Sequence, residues 1–346
     1  GFAGVVHAAG LLLDDGSRDL VLAAMEETAR GNGAKNLLCS IISLRCQFDV
    51  QAGRIAVARA RYHEMQEMMD LVGYPLDYPP LVAMGAAIRG WTANPPIDSA
   101  DFIRGVAACE RTGYGAGVEQ WLRAWVANRI AAGEYTEAWT VARDIDIDTG
   151  AADGFLLADL IEIASRTGQP SRAQMLQNAL ATRGARMPTS TFAGLLCWAD
   201  AFTGDDTDTA FRSAIHHFEN ANATLFTARA HLGLGEWLRR QRRRRQALTH
   251  LGTAAAIFAD QGVAGWAARA ERELAALGIA HQPTRSQYFD LTPQEATVAR
   301  LAGEGATNGE IAERLYISPS TVDYHLRKVY RKFGVTSRRQ LRTTLA

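Results

Sequence analysis

Residues 291–346 carry four helix-start signals in close succession, which commits that stretch to a small all-α domain. Thr292-Pro293-Gln294-Glu295 is a capping box with proline at the first helical position. Thr307-Asn308-Gly309-Glu310 repeats the box, Ser318-Pro319-Ser320-Thr321 opens a third helix, and Ser337-Arg338-Arg339-Gln340 opens a fourth. Gly303, Gly305 and Gly334 stand where helices should stop, because glycine tolerates the left-handed backbone of a C-cap.

The third helix, from Pro319 to Phe333, has two faces. Val322, Leu326, Val329, Tyr330 and Phe333 recur at helical spacing and form a stripe for burial. The other side presents Ser320, Asp323, Tyr324, Arg327, Lys328 and Arg331, with Lys332 on the flank. Polar and basic groups one turn apart can meet base edges and phosphates together. The preceding helix, from Asn308 to Leu315, should bury Ile311, Ala312 and Leu315. The short Tyr316-Ile317-Ser318 connection completes a helix-turn-helix.

These residues resemble a known family. Leu291-Thr292-Pro293-Gln294-Glu295, Thr307-Asn308-Gly309-Glu310-Ile311-Ala312 and the unbroken stretch 318–335 are similar to the LuxR-type DNA-binding domain. The alternative is a four-helix packing module with a solvated charged face. Family members often carry lysine where this chain has Asp323, beside Tyr324. An acid there repels phosphate but accepts a hydrogen bond from a cytosine amine, so base preference does not carry over.

Charge agrees with a two-part chain. The total is zero, yet from Ala306 onward there are eight basic residues and three acids, leaving the rest mildly acidic. A basic module on an acidic body suits a DNA reader with a separate regulatory part. Of the three lysines (Lys35, Lys328, Lys332) two lie in the expected recognition helix. No signal peptide and no run of about 18 apolar residues is present, so a soluble, cytoplasmic protein with no membrane partner is expected. The chain opens on Gly1 rather than methionine, as a piece of a longer protein would.

Residues 1–277 read as helix after helix, rich in alanine, leucine, arginine and glutamate, with no sustained strand alternation. Turns recur at Ala132-Gly133-Glu134-Tyr135, Thr167-Gly168-Gln169-Pro170, Thr203-Gly204-Asp205-Asp206 and near Gln241, with earlier ones at Ala52-Gly53-Arg54 and Asn94-Pro95-Pro96. A period near 34–40 with paired helices marks divergent tetratricopeptide-like repeats, whose packing makes a right-handed superhelix with one concave face.

This body resembles the C-terminal half of the large ATP-binding LuxR-type (LAL) regulators. The stretch 228–240, with His231-Leu232-Gly233-Leu234-Gly235-Glu236-Trp237 at its centre, looks like the last repeat before the DNA module, and 254–277 like the closing helices. The resemblance implies an N-terminal ATPase. This chain has no GxxxxGK[ST] and no Gly-Lys pair, so no P-loop site and no cofactor are expected in it.

The remaining candidates are weaker. Arg239, Arg240, Arg242, Arg243, Arg244 and Arg245 would touch phosphates or an acidic partner, or form a solvated turn, the favoured reading. Neighbouring His216 and His217 point about 100° apart, poor geometry for shared metal ligation. Trp121, Trp125, Tyr135 and Trp139 would line a ligand pocket or, more in keeping with helical spacing, fill the repeat core. Asp144, Asp146 and Asp148 lack the glycine and closing glutamate of a calcium loop. Cys39, Cys46, Cys109 and Cys197 lack metal-ligand spacing and read as small core residues. No catalytic constellation is visible, so no enzyme is expected.

The sequence thus predicts an all-α chain. A divergent tetratricopeptide-like superhelix (1–277) senses an effector or mediates assembly. A linker (278–290) and a four-helix LuxR-type helix-turn-helix domain (291–346) follow. Double-stranded DNA is the expected partner. Tyr324, Arg327 and Asp323 are expected to face bases. Thr307, Asn308, Ser318, Ser320, Thr321, Lys328, Arg331 and Lys332 are expected to hold phosphates. By resemblance, the fourth helix, from Ser337 to Ala346, pairs two copies on a pseudo-palindrome. A small molecule or a protein is the expected effector of the repeats.

Overall fold

The computed structural model describes residues 15–71, 73–75, 77–93, 96–143, 145, 154–278, 293–303, 305–315, 319–333, 335, 337, 338, 340 and 341. Every regular element among them is a helix. The chain divides into two compact units, Gly1–Pro283 and Thr284–Ala346.

The first unit runs α1 (Asp15–Gly31), α2 (Lys35–Gln51), α3 (Ile55–Leu71), α4 (Pro79–Thr92), α5 (Ser99–Arg111), α6 (Gly115–Ala132) and α7 (Tyr135–Ala142). It continues α8 (Gly154–Arg166), α9 (Pro170–Arg186), α10 (Ser190–Thr203), α11 (Thr207–Asn220), α12 (Thr224–Arg240), α13 (Arg244–Asp260) and α14 (Ala264–Ala276). Connections of a few residues reverse the chain, so most consecutive helices pack as antiparallel pairs.

The turns share one mechanism. A residue in the left-handed region ends the helix, and the next N–H reaches back to a carbonyl in the last turn, a Schellman closure. At Gly53 the Arg54 N–H donates to Asp49 O at 2.8 Å, and at Gly133 the Glu134 N–H donates to Arg129 O at 2.8 Å. Left-handed residues fall at 33, 53, 73, 93, 113 and 133, and again at 222, 242 and 262. The unit of repetition over these stretches is therefore one helix and its turn in twenty residues, or forty per helix pair. Forty lies at the upper end of the period of 34–40 expected from sequence, and the shorter spacing holds from Gly133 through Gly168 to Gly204. Gly204 closes its turn differently, with extended backbone, and Asp206 caps the next helix by accepting from the Thr209 N–H.

Contacts are not confined to neighbours. Helix α14 also packs on α4 and α6. The α2–α3 turn lies against the start of α12, where a β-carbon on Gly53 would come within 2.7 Å of Leu225 Cβ. Helices α4 and α6 cross so closely that a β-carbon on Gly90 would meet the Ala124 backbone at 2.4 Å.

The middle of this unit is partly ionic. Arg229, 1% exposed, meets Asp159 Oδ1 at 2.6 Å and Glu162 Oε2 at 2.9 Å. Its guanidinium also lies 4.8 Å from the Trp266 ring centre and 4.9 Å from that of Trp198. Arg166 bridges Glu162 and Glu236, and Arg269 donates to Glu236 and to the Ile130 carbonyl. The Tyr135 hydroxyl donates to Glu162 at 2.9 Å. Three arginines thus face three carboxylates, and the charges balance, as burial requires. Burial pushes Glu162 upward, but Arg166, Arg229 and Arg269 outweigh it and hold the carboxyl below its ordinary range. Asp159 ends above its ordinary range, because burial outweighs the pull of Arg229.

The other body candidates find plain places. Trp121 and Trp125 are buried in one apolar cluster, while Tyr135 and Trp139 pack on another. Cys39, Cys46 and Cys109 are buried free thiols and Cys197 is half-buried. Cys46 donates to the Ala58 carbonyl, and burial pushes its thiol up to about 12. In the arginine run, Arg239 pairs with Glu273 and Arg243 with Asp208. Asp144, Asp146 and Asp148 lie outside the described residues. Among the described residues no group of three or more metal-ligating side chains occurs, and no helix is long and apolar enough to cross a membrane.

The second unit contains α15 (Pro293–Gly303), α16 (Asn308–Leu315) and α17 (Pro319–Phe333). Both shorter helices pack on α17. The core they share is aliphatic: Val298, Ala299, Ile311, Val322, Leu326 and Val329 are fully or almost fully buried.

Candidate nucleic-acid interface

The start of α16 is fixed by its capping box. The Thr307 N–H donates to Glu310 Oε2 at 2.7 Å, and the Glu310 N–H returns a bond to Thr307 Oγ1 at 3.2 Å. The Thr307 hydroxyl donates to the same carboxylate at 2.9 Å. The Thr307 backbone N–H and hydroxyl together hold the Glu310 carboxyl below its ordinary range. The reciprocal pair satisfies donors that a helix start otherwise leaves open.

Beside this cap sits a residue that the sequence did not single out. Arg338 donates to Asn308 Oδ1 at 2.9 Å and to the Ala306 carbonyl, tying the fourth helix start to the first residue of α16. Asn308 therefore has its amide oxygen engaged within the protein, and its amide nitrogen is a donor that an acceptor such as phosphate would suit. No spacing rule marks Arg338, because the contact joins positions thirty residues apart. The Gln340 N–H donates to Ser337 Oγ at 3.3 Å, the expected cap of the fourth helix. Leu341 is fully buried in this unit's own core, so its side chain is taken up there; residues 342–346 lie outside the described residues.

Helix α17 divides as its sequence predicts over its described side chains, among which that of Phe333 is not included. Val322, Leu326 and Val329 face inward, and Tyr330 is partly buried against the same core. The outer face carries Tyr324, 55% exposed, an aromatic ring among charges. Arg327, its side chain 79% exposed, pairs with Asp323 one turn earlier at 2.8 Å. Lys328 places its ammonium 4.3 Å from the centre of the Tyr324 ring. Two contacts along the helix thus favour these positions of Arg327 and Tyr324, weakly, since exposed pairs one turn apart contribute only about 0.3–0.5 kcal/mol. Thr321 is half-buried at the start of the helix. Ser318, and the side chains of Ser320, Arg331 and Lys332, lie outside the described residues.

Comparison with known proteins bears on this unit. Residues 290–345 match the family model described as bacterial regulatory proteins, luxR family. The "Putative HTH-type transcriptional regulator Mb0914c" of Mycobacterium bovis is 42% identical over 88 residues, which are 25% of this chain and 9% of that protein. The similarly named Rv0890c of Mycobacterium tuberculosis matches to the same extent. The "Transcriptional regulatory protein LnrK" of Bacillus subtilis is 37% identical over 70 residues, 20% of this chain and 32% of that one. The chain thus spans only 9% of the length of the first two relatives. No solved structure matches it.

Proposed function

From the luxR-family helix-turn-helix domain that the chain carries at residues 290–345, we infer a sequence-specific DNA-binding regulator of transcription whose α17 enters a major groove. One observation carries this reading: a row of Asp323, Tyr324, Arg327 and Lys328, with Tyr324 and Arg327 exposed and the other two half-buried, stands opposite the buried Val322, Leu326 and Val329. A helix that exposes an aromatic ring between two charged contacts has a face shaped for a partner rather than for water alone.

In this mechanism Arg327 and Tyr324 face base edges. Asp323 holds Arg327 until a guanine offers its N7 and O6, or itself accepts from a cytosine amine. Thr307, Asn308, Ser318, Ser320, Thr321, Lys328, Arg331 and Lys332 hold phosphates on either side. Arg338 is a positioning residue that sets the angle of Asn308. Two copies meet through the remainder of the fourth helix on a two-fold operator. The helical body is the sensing half, of the kind found in ATP-binding LuxR-type regulators, and the protein works in the cytoplasm without chemistry of its own.

The test is selection from a randomised duplex pool by this chain at two salt concentrations. Enrichment of a pseudo-palindrome that survives the higher salt supports the reading. Binding that vanishes with salt and enriches nothing means phosphate contacts alone, and overturns it. Sedimentation equilibrium on the selected duplex at one chain per site would remove the dimer from the mechanism.

A further inference from the structure

Helices α4 and α5 both pack on α6, and an open groove of ≈ 510 Å³ runs between them, inside the roughly 300–1,000 Å³ range of small-molecule sites. Trp121 of α6 reaches its floor. A β-carbon on Gly105 would lie 2.0 Å from the Trp121 indole, so the glycine lets the ring come up between the two helices. Tyr78, Val82 and Ala108 make apolar walls, and Val82 is 37% exposed, a large aliphatic side chain left facing water. On α5 the groove runs from Asp101 to Arg111, a helical rise of about 15 Å.

The two ends of the groove differ in charge. At one end Asp101 meets Arg104 at 2.5 Å and Arg89 at 3.3 Å. Two guanidinium groups thus share one carboxylate, and one positive charge is left over. The Arg89 contact is long and the Arg104 side chain is 68% exposed, so both keep N–H donors free for a second acid. At the other end Arg111 and Asp77 cancel. An anionic group therefore has one place to sit, and beyond it the walls are apolar. An inorganic anion would leave Val82 and Tyr78 in water, and a hydrocarbon would leave the charge unmet.

We propose that this groove binds a small organic monocarboxylate with an apolar body. Its carboxylate sits between Arg89 and Arg104, accepting from both guanidinium groups. Its apolar part lies over Trp121, against Tyr78, Val82 and Ala108. The proposal rests on the reading of the body as the sensing half of a regulator and names the chemistry it senses.

The experiment uses the full chain with four probes: octanoate, butyrate, octanol and octylammonium. Affinity is read by calorimetry, and thermal unfolding by tryptophan fluorescence. All seven tryptophans precede residue 267, so the signal reports this unit. Octanoate should bind saturably and raise the midpoint. Butyrate should bind at least tenfold more weakly, since a fully buried methylene contributes roughly fourfold. Octanol and octylammonium should also fall at least tenfold short of octanoate. Arg104→Gln should weaken octanoate about tenfold, and Val82→Asp, which sets a carboxylate in the apolar wall, should abolish its binding. Both positions are exposed, so each variant should unfold at the parent's midpoint without ligand. No saturable binding of octanoate overturns the site. So does octanol binding as tight as octanoate, or an affinity for Arg104→Gln within twofold of the parent. The same preparations are tested on the selected duplex. Intact specific DNA binding with no octanoate binding removes the site and leaves the regulator. Octanoate binding without specific DNA binding does the reverse. Octanoate binding that leaves duplex affinity unchanged overturns the role as effector.

Discussion

In the helical body Arg229 is almost wholly buried and meets two carboxylates and three indole rings; in the C-terminal unit Arg327 is mostly exposed and meets one carboxylate. Both ion pairs have short contacts, yet they differ in kind. Removing Arg229 would strand Asp159 away from water and leave Glu162 to Arg166, Arg269 and Tyr135. Removing Arg327 would leave Asp323 half-exposed and free to be solvated. The same side chain is therefore a structural element in one unit and, under the proposed function, a reporter of binding in the other. Distance does not separate the two; access to water does.

The sharpest way to break this contrast is to truncate both arginines and measure folding and DNA binding on each. Arg229→Ala should destabilise the body by about 3–5 kcal/mol, from uncompensated buried charge and a cavity among the rings. Urea unfolding at neutral pH, read by tryptophan fluorescence, measures it. A loss below about 1 kcal/mol would mean that the carboxylates find water or a proton at little cost.

Acid sharpens the comparison next, because the body also holds a pair of histidines with no counterpart in the C-terminal unit. His231 and His250 face each other with their Nδ1 atoms 2.8 Å apart. Burial and then His250 lower the His231 pKa to about 4, and burial lowers that of His250. An unfolded histidine titrates near 6.5, so between pH ~6.5 and ~4 the unfolded chain binds more protons than the folded one. The stabilisation is complete above that window and falls as pH falls through it, by about 2 kcal/mol after allowance for partial exposure. His231→Phe should flatten this dependence in unfolding midpoints taken from pH 7 to 4. An unchanged slope would place the titrating groups elsewhere.

Much of the C-terminal unit was legible in sequence because its determinants are local. A capping box spans four residues, and a buried stripe repeats every turn, so the Thr307–Glu310 cap and the Val322, Leu326, Val329 face could be read directly. Arg338 could not, since its partner lies thirty residues away. The body shows the same division. Helices and Gly53, Gly133 and Gly168 turns follow from local patterns. The twenty-residue spacing was legible in part, in Gly33, Gly53, Gly73, Gly113 and Gly133, and hidden elsewhere because Ala93, Asn222 and Arg242 fill left-handed positions where glycine would have announced the turn. The Arg229, Arg166 and Arg269 network joins helices up to 139 residues apart, and nothing in a linear pattern distinguishes those arginines from solvated ones.

Arg327→Ala gives the next effect in size, and it falls on binding. It should cost about 1–3 kcal/mol at a selected duplex and relax one base position, with the body's unfolding midpoint unchanged. Equal losses on all sequences would reassign Arg327 to a phosphate. Asp323→Asn separates the partners: it frees Arg327 and removes a negative charge, so binding to unselected duplexes should rise severalfold at low salt. A fall instead would make Asp323 a direct reader of a cytosine.

The smallest effect tests backbone rather than charge. Arg242 adopts φ +59 in the turn between α12 and α13, where its N–H donates to the Arg239 carbonyl and the next N–H to Leu238. A side chain in that conformation costs ~1 kcal/mol, which glycine at an equivalent turn avoids. Glycine also gives the unfolded chain more freedom, which opposes part of the gain. Arg242→Gly should therefore stabilise the body by roughly 0.5 kcal/mol, and leave DNA binding unchanged. If affinity for a selected duplex drops with a smaller salt slope, the arginine turn touches phosphates, and the contrast between a structural body and a binding C-terminal unit would have to be redrawn.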